Sequence, residues 1–464
     1  MFWSALAGSL AALGIAGVFS CILFRPALNL LLDALSRRIF MDPYHENLLE
    51  MANVILKVGP LDLAELELRS ESGKPEKRPF GARRRISLWQ QFFFNPVYLA
   101  GQPLPAETRV ETQVVIGPRA AKPLTLEIPI LAGGMAWGMA LSSRAKIALA
   151  RGTALAGTAT NTGAGPYLPA ERETAKFLVI QLSKGYWKRE PEIVRQADMV
   201  EIVLGHGAVG SVSTAIEQVE LDIDPEFQAA LAGARPLVNS ILPEGPGPGP
   251  LQDLVAEARS ITGGVPVGVK IGATDRLEAE LAAILQAEPD FITIDGCEGG
   301  THGVGTALHD DTGLPTIHAL CRAERYLRQR GLRERLSLLV GGGLYQPGAF
   351  LKAMALGADA VLIGTAALLS LAHGQVEKVT PFEPPTQLLF HRGNKAGNFD
   401  PEKGARYLAR YLQSCVSEMG QVARTLGRPS LGEVCRADLC CLDRDLAVLA
   451  GVRWAGAPPA PEDG

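Results

Sequence analysis

Short apolar runs and longer segments with helical periodicity alternate along the middle of the chain, from residue 128 to residue 366. The apolar runs have the length of strands, and the segments between them place apolar residues at helical spacing, so the pattern predicts alternating β and α units. Strands that are apolar along their whole length are typical of a parallel sheet covered by helices. Eight such strands begin near residues 128, 157, 177, 199, 265, 291, 336 and 360.

Eight βα units over about 240 residues match the size of a (β/α)8 TIM barrel. A doubly wound sheet is the alternative, and such a sheet more often carries G-x-G-x-x-G after its first strand. The corresponding segment here, GGMAWG at 133–138, imitates that motif only loosely. We therefore predict the α/β class, with a TIM barrel in residues 108–380 and active-site residues at the carboxyl ends of its strands.

The N-terminal segment, residues 1–24, contains no charged residue. It is about as long as the ~20 residues that a helix needs to span a bilayer. Arg25, Arg37 and Arg38 follow it and no lysine or arginine precedes it, so the positive-inside rule places the remainder of the chain in the cytoplasm. The pattern predicts a transmembrane anchor and a single-pass membrane protein with a cytoplasmic catalytic domain. A cleaved signal peptide and a buried helix are the alternatives.

Two segments of different composition flank the barrel. Residues 25–107 are interpreted as a juxtamembrane and lead-in segment, in which the basic stretch 69–85 is a linker or a surface loop near anionic lipid. Residues 381–464 are interpreted as a C-terminal helical extension, with a helix over 402–427 and a disordered end.

Charge and cysteine content narrow the function classes. The 464 residues carry a formal net charge of −4, which gives no electrostatic reason to expect a nucleic-acid partner. The seven cysteines form no pair of CxxC units, and an odd, scattered set is typical of a reducing compartment. The histidines lack the spacing of a metal site, so no metal is predicted.

Two glycine-tipped strands lie one helix apart near the end of the barrel. The seventh strand ends in Gly341–Gly343 and the eighth in Gly364–Ala366. Phosphate commonly binds in the loops after these two strands of a barrel, where backbone N–H groups and helix N-termini hold anions. The pair predicts a phosphate clamp, which Glu298–Gly303 after the sixth strand helps to close. Tight βα turns without a ligand are the alternative.

A phosphate clamp on a barrel suits a phosphorylated substrate or a cofactor such as FMN or PLP. PLP requires a Schiff-base lysine, for which Lys270 is available at a strand end, whereas flavin requires backbone and amide groups along its ring and a cation near its N1/O2 edge. Polar residues at the ends of the first, second, third and fifth strands fit flavin better. The predicted cofactor-binding residues are Gly133, Gly134, Met135, Asn161, Thr162, Gln181, Lys270, Gly299, Gly300, Thr301, Gly341, Gly342, Gly343, Gly364, Thr365 and Ala366.

Several segments resemble the FMN-binding domain of glutamate synthase and its stand-alone relatives. They include AGGMAWGMALSSRAKIALARGTALAGTATNTGAG, VIQLSKGYW, IDGCEGGTHG, and LVGGG followed by GADAVLIGTAAL, and they occur in the family's order over residues 128–390. The resemblance implies a TIM barrel that binds FMN, with a 2-oxo acid or 2-iminoglutarate above the flavin.

The chain departs from that family in two places. The family usually has three cysteines after the last strand that hold an iron–sulfur cluster, and this span contains none, so no cluster is predicted. After the fourth strand, Val203 and Val209 occupy positions where lysines are expected, and His206 a position where glutamine is expected. Those lysines would pair with the carboxylates of 2-oxoglutarate, so their absence counts against that substrate.

The residues and the resemblance lead to the hypothesis of a membrane-anchored, FMN-dependent oxidoreductase that acts on the CH–NH2 or imino carbon of an amino or 2-oxo acid. Lys270 is the predicted cation at the flavin N1/O2 edge, and Glu298 and His206 are candidates for proton transfer. Glu298 is equally a candidate for a hydrogen bond to the flavin ribityl chain. Two alternatives remain: a hydroxy- or amino-acid dehydrogenase that passes electrons to a membrane quinone, and a flavin-binding subunit with little activity of its own.

Overall fold

A computed structural model describes residues 2–78, 80–83, 86–99, 101–183, 189–207, 214–215, 237–238, 248–301 and 304–457. For residues 2–16 and some others within these ranges it describes the backbone alone. The chain divides into two compact units, Met1–Glu76 and Lys77–Gly464. The second unit begins before residue 108, where the sequence predicts the start of the barrel domain, because the lead-in residues from Lys77 onward belong to it.

The first unit contains the helices Phe2–Phe40, Leu48–Val58 and Pro60–Ser72. The first of them continues through Pro26, so the predicted end of the anchor at residue 24 is not a helix end. In the part of the chain whose side chains are described, no helix combines the length and the apolar character that a membrane span needs. The predicted transmembrane anchor therefore receives no support from the structure.

The core of the second unit is a sheet of eight parallel strands, which we number β1–β8 in chain order. Each strand begins within two residues of the start that the sequence predicts. The strands are Ile130–Ala132 (β1), Ala159–Asn161 (β2), Phe177–Leu182 (β3), Met199–Val203 (β4), Val267–Gly272 (β5), Phe291–Asp295 (β6), Ser337–Gly341 (β7) and Ala360–Ile363 (β8).

Neighbouring strands follow the chain order from β2 to β8, and β1 pairs with β8. These pairs are parallel, with Gln181 of β3 opposite Glu201 of β4. Thr158, just before β2, donates its hydroxyl to the Ile130 carbonyl of β1 at 2.8 Å, so a side chain bridges the remaining seam. A strand order in which the last strand returns to the first is a barrel, which confirms the predicted fold and excludes the doubly wound alternative.

Helices connect the barrel strands and cover their outer faces, as the apolar composition of the strands requires. Ser142 caps the helix after β1, because its Oγ accepts a hydrogen bond from the Ala145 N–H at 3.2 Å. The helices of this part are Ser143–Leu155, Pro169–Thr174, Pro191–Val194, Pro248–Thr262, Leu277–Ile284, Thr306–Asp310, Thr316–Gln329, Pro347–Ala355 and Thr365–Ala372.

The interior of the barrel has an apolar amino end and a polar carboxyl end. A hairpin of Val114–Ile116 and Leu124–Leu126 lies at the amino end, where the Gly117 N–H donates to Ser337 Oγ at 3.0 Å and apolar strand residues such as Phe291 pack on the hairpin. Side chains alternate between the two faces of a strand, so inward positions recur every second residue. The buried polar side chains at the other end are Asn161, Gln181, Glu201, Lys270, Thr293 and Asp295.

The C-terminal part belongs to the second unit and packs on the barrel. The predicted helix over 402–427 is present as Pro401–Thr425 and lies along the helix Ser143–Leu155. Beyond it, Leu439–Cys441 pairs antiparallel with Phe92–Phe94, and the helix Arg444–Ala450 follows. The last seven residues of the predicted disordered end, 458–464, lie outside the described residues.

Leu408 tests the contribution of the C-terminal helix to the barrel, because its side chain is fully buried against Gly152. We expect Leu408→Ala to lower the free energy of unfolding by about 2–5 kcal/mol, through lost burial and the cavity that remains. Urea unfolding followed by circular dichroism measures this change. Arg406→Ala, at an exposed position of the same helix, is the control and should change stability by less than about 0.5 kcal/mol. Equal stability of the two variants would mean that the helix is not part of the cooperative unit.

Candidate active site

An open cleft lies at the carboxyl ends of β1, β5, β6, β7 and β8. The space within and above it is about 550 Å³, including the open solvent at its mouth. The cleft lies at the end of the barrel where active sites of this fold occur. The predicted cofactor-binding residues that line it are Gly133, Gly134, Met135, Lys270, Gly299, Gly300, Gly341, Gly342, Gly343, Gly364 and Thr365.

The glycines after β7 are required by packing inside the protein. A Cβ at Gly341 would lie 2.8 Å from Asp295 Oδ1, and Gly342 has a positive φ of 110° with Thr316 Oγ1 2.7 Å from its Cβ position. These glycines are therefore explained by tight packing whether or not a ligand binds. They do not by themselves distinguish the predicted clamp from a tight turn.

Gly364 after β8 is different, because a Cβ at this position would meet no atom within 4 Å. The helix Thr365–Ala372 begins directly after it, and no side chain caps this helix. The N–H groups of a first helical turn lack acceptors within the helix and carry partial positive charge. Because Gly364 and Thr365 line the cleft, this helix start presents an anion-binding edge to it.

Lys270 and Asp295 form a buried ion pair on the floor of the cleft. Lys270 Nζ lies 3.3 Å from Asp295 Oδ2, and the side chains are only about a tenth exposed. Burial opposes the charged form of Lys270, but the carboxylates of Asp295 and Glu201 outweigh it and raise its pKa. The floor therefore holds a permanent ammonium group at neutral pH.

Glu201, in the middle of β4, accepts hydrogen bonds from three other strands. Its Oε2 accepts from Asn161 Nδ2 at 3.1 Å and from Gln181 Nε2 at 2.6 Å, and its Oε1 accepts from Thr293 Oγ1 at 2.8 Å. The Glu201 side chain has no solvent exposure. This carboxylate joins the polar ends of β2, β3, β4 and β6 into one network.

Behind β2, a second buried ion pair supports the same network. Lys146 Nζ lies 2.8 Å from Glu171 Oε1 and donates to the Asn161 carbonyl at 2.7 Å. Burial lowers the pKa of Lys146 and raises that of Glu171, and each charge opposes the shift of the other. The pair holds the backbone of Asn161 in place from outside the barrel.

Glu298 has both carboxylate oxygens engaged as hydrogen-bond acceptors. Oε1 accepts from the Ser87 N–H at 2.8 Å, and Oε2 accepts from the N–H and the hydroxyl of Thr316 at 3.0 and 2.7 Å. Thr316 is the first residue of the helix Thr316–Gln329, so the carboxylate also binds a helix N-terminus. This arrangement favours a structural role over the predicted proton transfer, which stays a prediction.

His206 lies just beyond the end of β4 and is half-buried. Burial and the nearby positive charge of Lys270 lower its pKa to about 4, against the opposing charge of Asp295. The imidazole is therefore neutral at neutral pH and can accept a proton only from a strong acid. Val203 is buried at the last position of β4, and Val209 lies outside the described residues.

The basic segment predicted to be a linker or a surface loop contacts the mouth of the barrel from Lys77 onward. Arg78 Nη2 bonds Asp310 Oδ2 at 2.7 Å, and the Arg83 N–H donates to Asp310 Oδ1 at 3.1 Å. The Thr365 hydroxyl donates to the Phe80 carbonyl at 3.2 Å. This segment therefore connects the loops after β6 and β8.

The remaining predicted residues lie around the cleft rather than in its described lining. Asn161 and Gln181 belong to the buried network, and Thr162 Oγ1 accepts from the Gln181 N–H at 3.0 Å. Ala366 is buried in the helix after β8, and Thr301 follows the glycines after β6 at a half-buried position. The structure therefore places the predicted residues at one end of the barrel. Some of them line the cleft, and the others lie around it.

Sequence reasoning missed Glu201 and Asp295. Both are carboxylates within strands that are otherwise almost wholly apolar, MVEIV and FITID. A charged residue is rarely buried unless it is paired, so this pattern was the available signal.

Comparison with known proteins extends the assignment. A family model described as the conserved region in glutamate synthase matches residues 101–428. The chain belongs to the glutamate synthase family. A glutamate synthase large subunit-like protein from Rhizobium meliloti is 32% identical over 87% of this chain and 95% of its own length. The family assignment confirms the predicted resemblance and the predicted class of enzyme, an oxidoreductase.

A second relative is longer than this member of the glutamate synthase family. An archaeal-type glutamate synthase (NADPH) from Thermotoga neapolitana is 29% identical over 68% of this chain. The chain spans 63% of that relative's length. The activity of the longer protein therefore does not transfer as a whole.

Solved structures share the fold at low identity. A mutant of an active chimera of (S)-mandelate dehydrogenase has a TM-score of 0.51 and 15% identity, covering 81% of this chain and 94% of that one. A flavocytochrome b2 mutant with benzoylformate has a TM-score of 0.51 and 17% identity, covering 90% and 95%. At such identities the likeness concerns the fold alone.

Glu298→Gln tests whether this carboxylate is structural. A glutamine has one acceptor oxygen, so in either orientation its NH2 group faces an N–H donor from Ser87 or Thr316. We expect the free energy of unfolding to fall by about 1–3 kcal/mol in urea titrations. Glu433→Gln, at an exposed position, is the control and should be neutral. A Glu298→Gln protein with unchanged stability but lost turnover would show that the carboxylate acts in the chemistry.

His206 makes the stability of the protein depend on pH. Its folded-state pKa of about 4 lies below the ordinary value of 6.5, so the unfolded chain binds more protons between these values. The contribution of His206 to stability is complete above pH 6.5 and decreases as the pH falls toward 4. We expect His206→Asn to flatten the pH dependence of the urea midpoint in this window. His45→Asn, at an exposed histidine, should leave the slope unchanged; equal slopes for wild type and His206→Asn would contradict the assignment.

Proposed function

We propose that this chain is an FMN-dependent oxidoreductase that acts at the CH–NH2 or imino carbon of an amino or 2-oxo acid. The observation that carries the proposal is a single cleft that joins an anion-binding helix start, Gly364–Thr365, to a floor with a permanent cation, Lys270. A phosphate at one end and a ring that gains negative charge on reduction at the other are the two features of FMN that these groups suit.

The residues present fit FMN better than PLP. A Schiff base forms on an uncharged amine, whereas Asp295 and Glu201 keep Lys270 protonated. Gln181 lies directly under Gly134 of the cleft lining, so an amide is available along the predicted ring position. The open Gly364 leaves space where a phosphate would approach the helix start.

FMN, when bound, supplies reversible hydride transfer between its ring and a substrate carbon. In this chain, the Lys270 ammonium would stabilise negative charge at the N1/O2 edge of the ring. Asp295 holds that ammonium in position from the neighbouring strand. His206, beyond the end of β4, is neutral and only weakly basic, so its predicted part in proton transfer at the substrate stays a prediction.

The substrate class rests on the family and on the residues after β4. One relative is named a glutamate synthase large subunit-like protein and another an archaeal-type glutamate synthase, which supports an amino or 2-oxo acid. Buried Val203 stands where the family is expected to have a lysine, which disfavours a second carboxylate in the substrate. We therefore favour a substrate with one carboxylate over 2-oxoglutarate.

Other expectations from the sequence stay predictions. They concern the absence of an iron–sulfur cluster, the membrane location with a cytoplasmic catalytic domain, and the electron-transfer partner or quinone. Among the described residues, no group of three or more His, Cys, Asp or Glu side chains is arranged to hold a metal ion.

Cofactor identification and a cleft-filling variant test the proposal together. We expect the purified protein to show flavin absorption and to release a compound with the mass of FMN. Gly364→Val should keep the fold, because a Cβ there meets no atom within 4 Å, but should fill the anion-binding edge. We expect its affinity for FMN to fall at least about tenfold, a loss of about 1.4 kcal/mol, while its affinity for riboflavin, which lacks the phosphate, falls much less.

Gly348→Val is the matched control for this variant. Gly348 also has no atom within 4 Å of its Cβ position, but it lies outside the described lining of the cleft. The Gly348→Val protein should bind FMN as the wild type does. A protein that cannot be reconstituted with FMN would overturn the proposal, and equal loss of FMN and riboflavin in Gly364→Val would overturn the assigned phosphate position.

A further inference from the structure

Glu201 is a buried carboxylate that faces two side-chain amides at once. Asn161 Nδ2 and Gln181 Nε2 both donate to its Oε2, at 3.1 and 2.6 Å. An ionised carboxylate only accepts hydrogen bonds, so both amides must turn their NH2 groups toward it. Glu201 therefore favours one orientation of each of these two side chains.

With the NH2 groups directed at Glu201, the amide oxygens point elsewhere. Asn161 Oδ1 accepts from the Gly163 N–H at 2.9 Å, which satisfies it within the protein. Within the described part of the chain, the hydrogen bond of the Gln181 side chain is the one from Nε2 to Glu201, and none to Oε1 is found. The whole Gln181 amide packs against Gly134, whose Cβ would come within 3 Å of both its nitrogen and its oxygen, and Gly134 lines the cleft.

We propose that Glu201 is a positioning residue of the flavin site, which fixes the Gln181 amide so that its carbonyl oxygen accepts a hydrogen bond from an N–H on the edge of the bound ring. The inference rests on the proposed function and specifies which edge of the bound ring faces these side chains. The site offers a cation, Lys270, and an acceptor, Gln181 Oε1, at the same end of the barrel. It therefore selects a ring edge that presents an acceptor beside an N–H donor, as the N1/O2 and N3–H groups of flavin do.

Thr293 completes the arrangement without touching the amides. Its hydroxyl donates to the other carboxylate oxygen, Oε1, at 2.8 Å. The carboxylate is thus held from β6 while its Oε2 orients the amides on β2 and β3. A Leu at position 201 would remove all of these acceptors, whereas a Gln would keep one oxygen of the same reach for the amides.

The test compares wild type, Glu201→Leu and Glu201→Gln after reconstitution with ¹⁵N-labelled FMN. In the wild type, the ¹⁵N3 resonance should show a hydrogen bond and a through-bond coupling to the ¹³C-labelled carbonyl of Gln181. Glu201→Leu should lose this signature and bind FMN about tenfold more weakly, because the amide is free to turn. Glu201→Gln should retain the signature.

The outcomes separate the inference from the proposed function. A Glu201→Leu protein that binds FMN with an unchanged N3 signature would overturn the role of Glu201 while leaving the flavin site intact. If Glu201→Leu does not fold, the wild-type holoprotein decides: absence of the coupling between flavin N3 and the Gln181 carbonyl overturns the inference. A wild-type protein that binds no FMN overturns the proposed function and the inference with it.

Discussion

The parallel register of the eight barrel strands determines which side chains meet at the cleft. Side chains alternate in direction along a strand, so a shift of one residue in any pair would send the inward set outward. The register that places Gln181 opposite Glu201 and Lys270 opposite Thr293 brings an amide, a carboxylate, an ammonium and a hydroxyl to one end of the barrel. The network, the cleft and its chemistry all depend on that register.

Burial explains why each charged group at this end of the barrel has a partner. A carboxylate or an ammonium taken from water loses several kcal/mol of hydration unless a partner replaces it. Lys270 is compensated by Asp295, and Glu201 by hydrogen bonds from neutral groups. The protein thus holds a charged floor in a largely buried position, where electrostatic effects on a ligand are stronger than in bulk water.

The strands, the barrel and the gathering of polar residues at strand ends could be predicted from the sequence, because each depends on local periodicity and on a general property of the fold. The hydrogen-bond and packing partners of those residues could not be predicted in this way. Glu298 is engaged by Ser87 and Thr316, one of them far away in the chain, and Gly341 is required by Asp295 on another strand. Such contacts depend on the three-dimensional register, which a single sequence does not state.

The short sheet between Phe92–Phe94 and Leu439–Cys441 joins the beginning of the barrel unit to its end. The two strands are separated by about 350 residues, so their pairing is among the least local contacts of the fold. On a ribosome that adds roughly 5–20 residues per second, the first of these strands waits for its partner for tens of seconds. The edge of Phe92–Phe94, with exposed Phe93, is then open to other strands, so the rate of synthesis sets how long the nascent chain is exposed to misassembly.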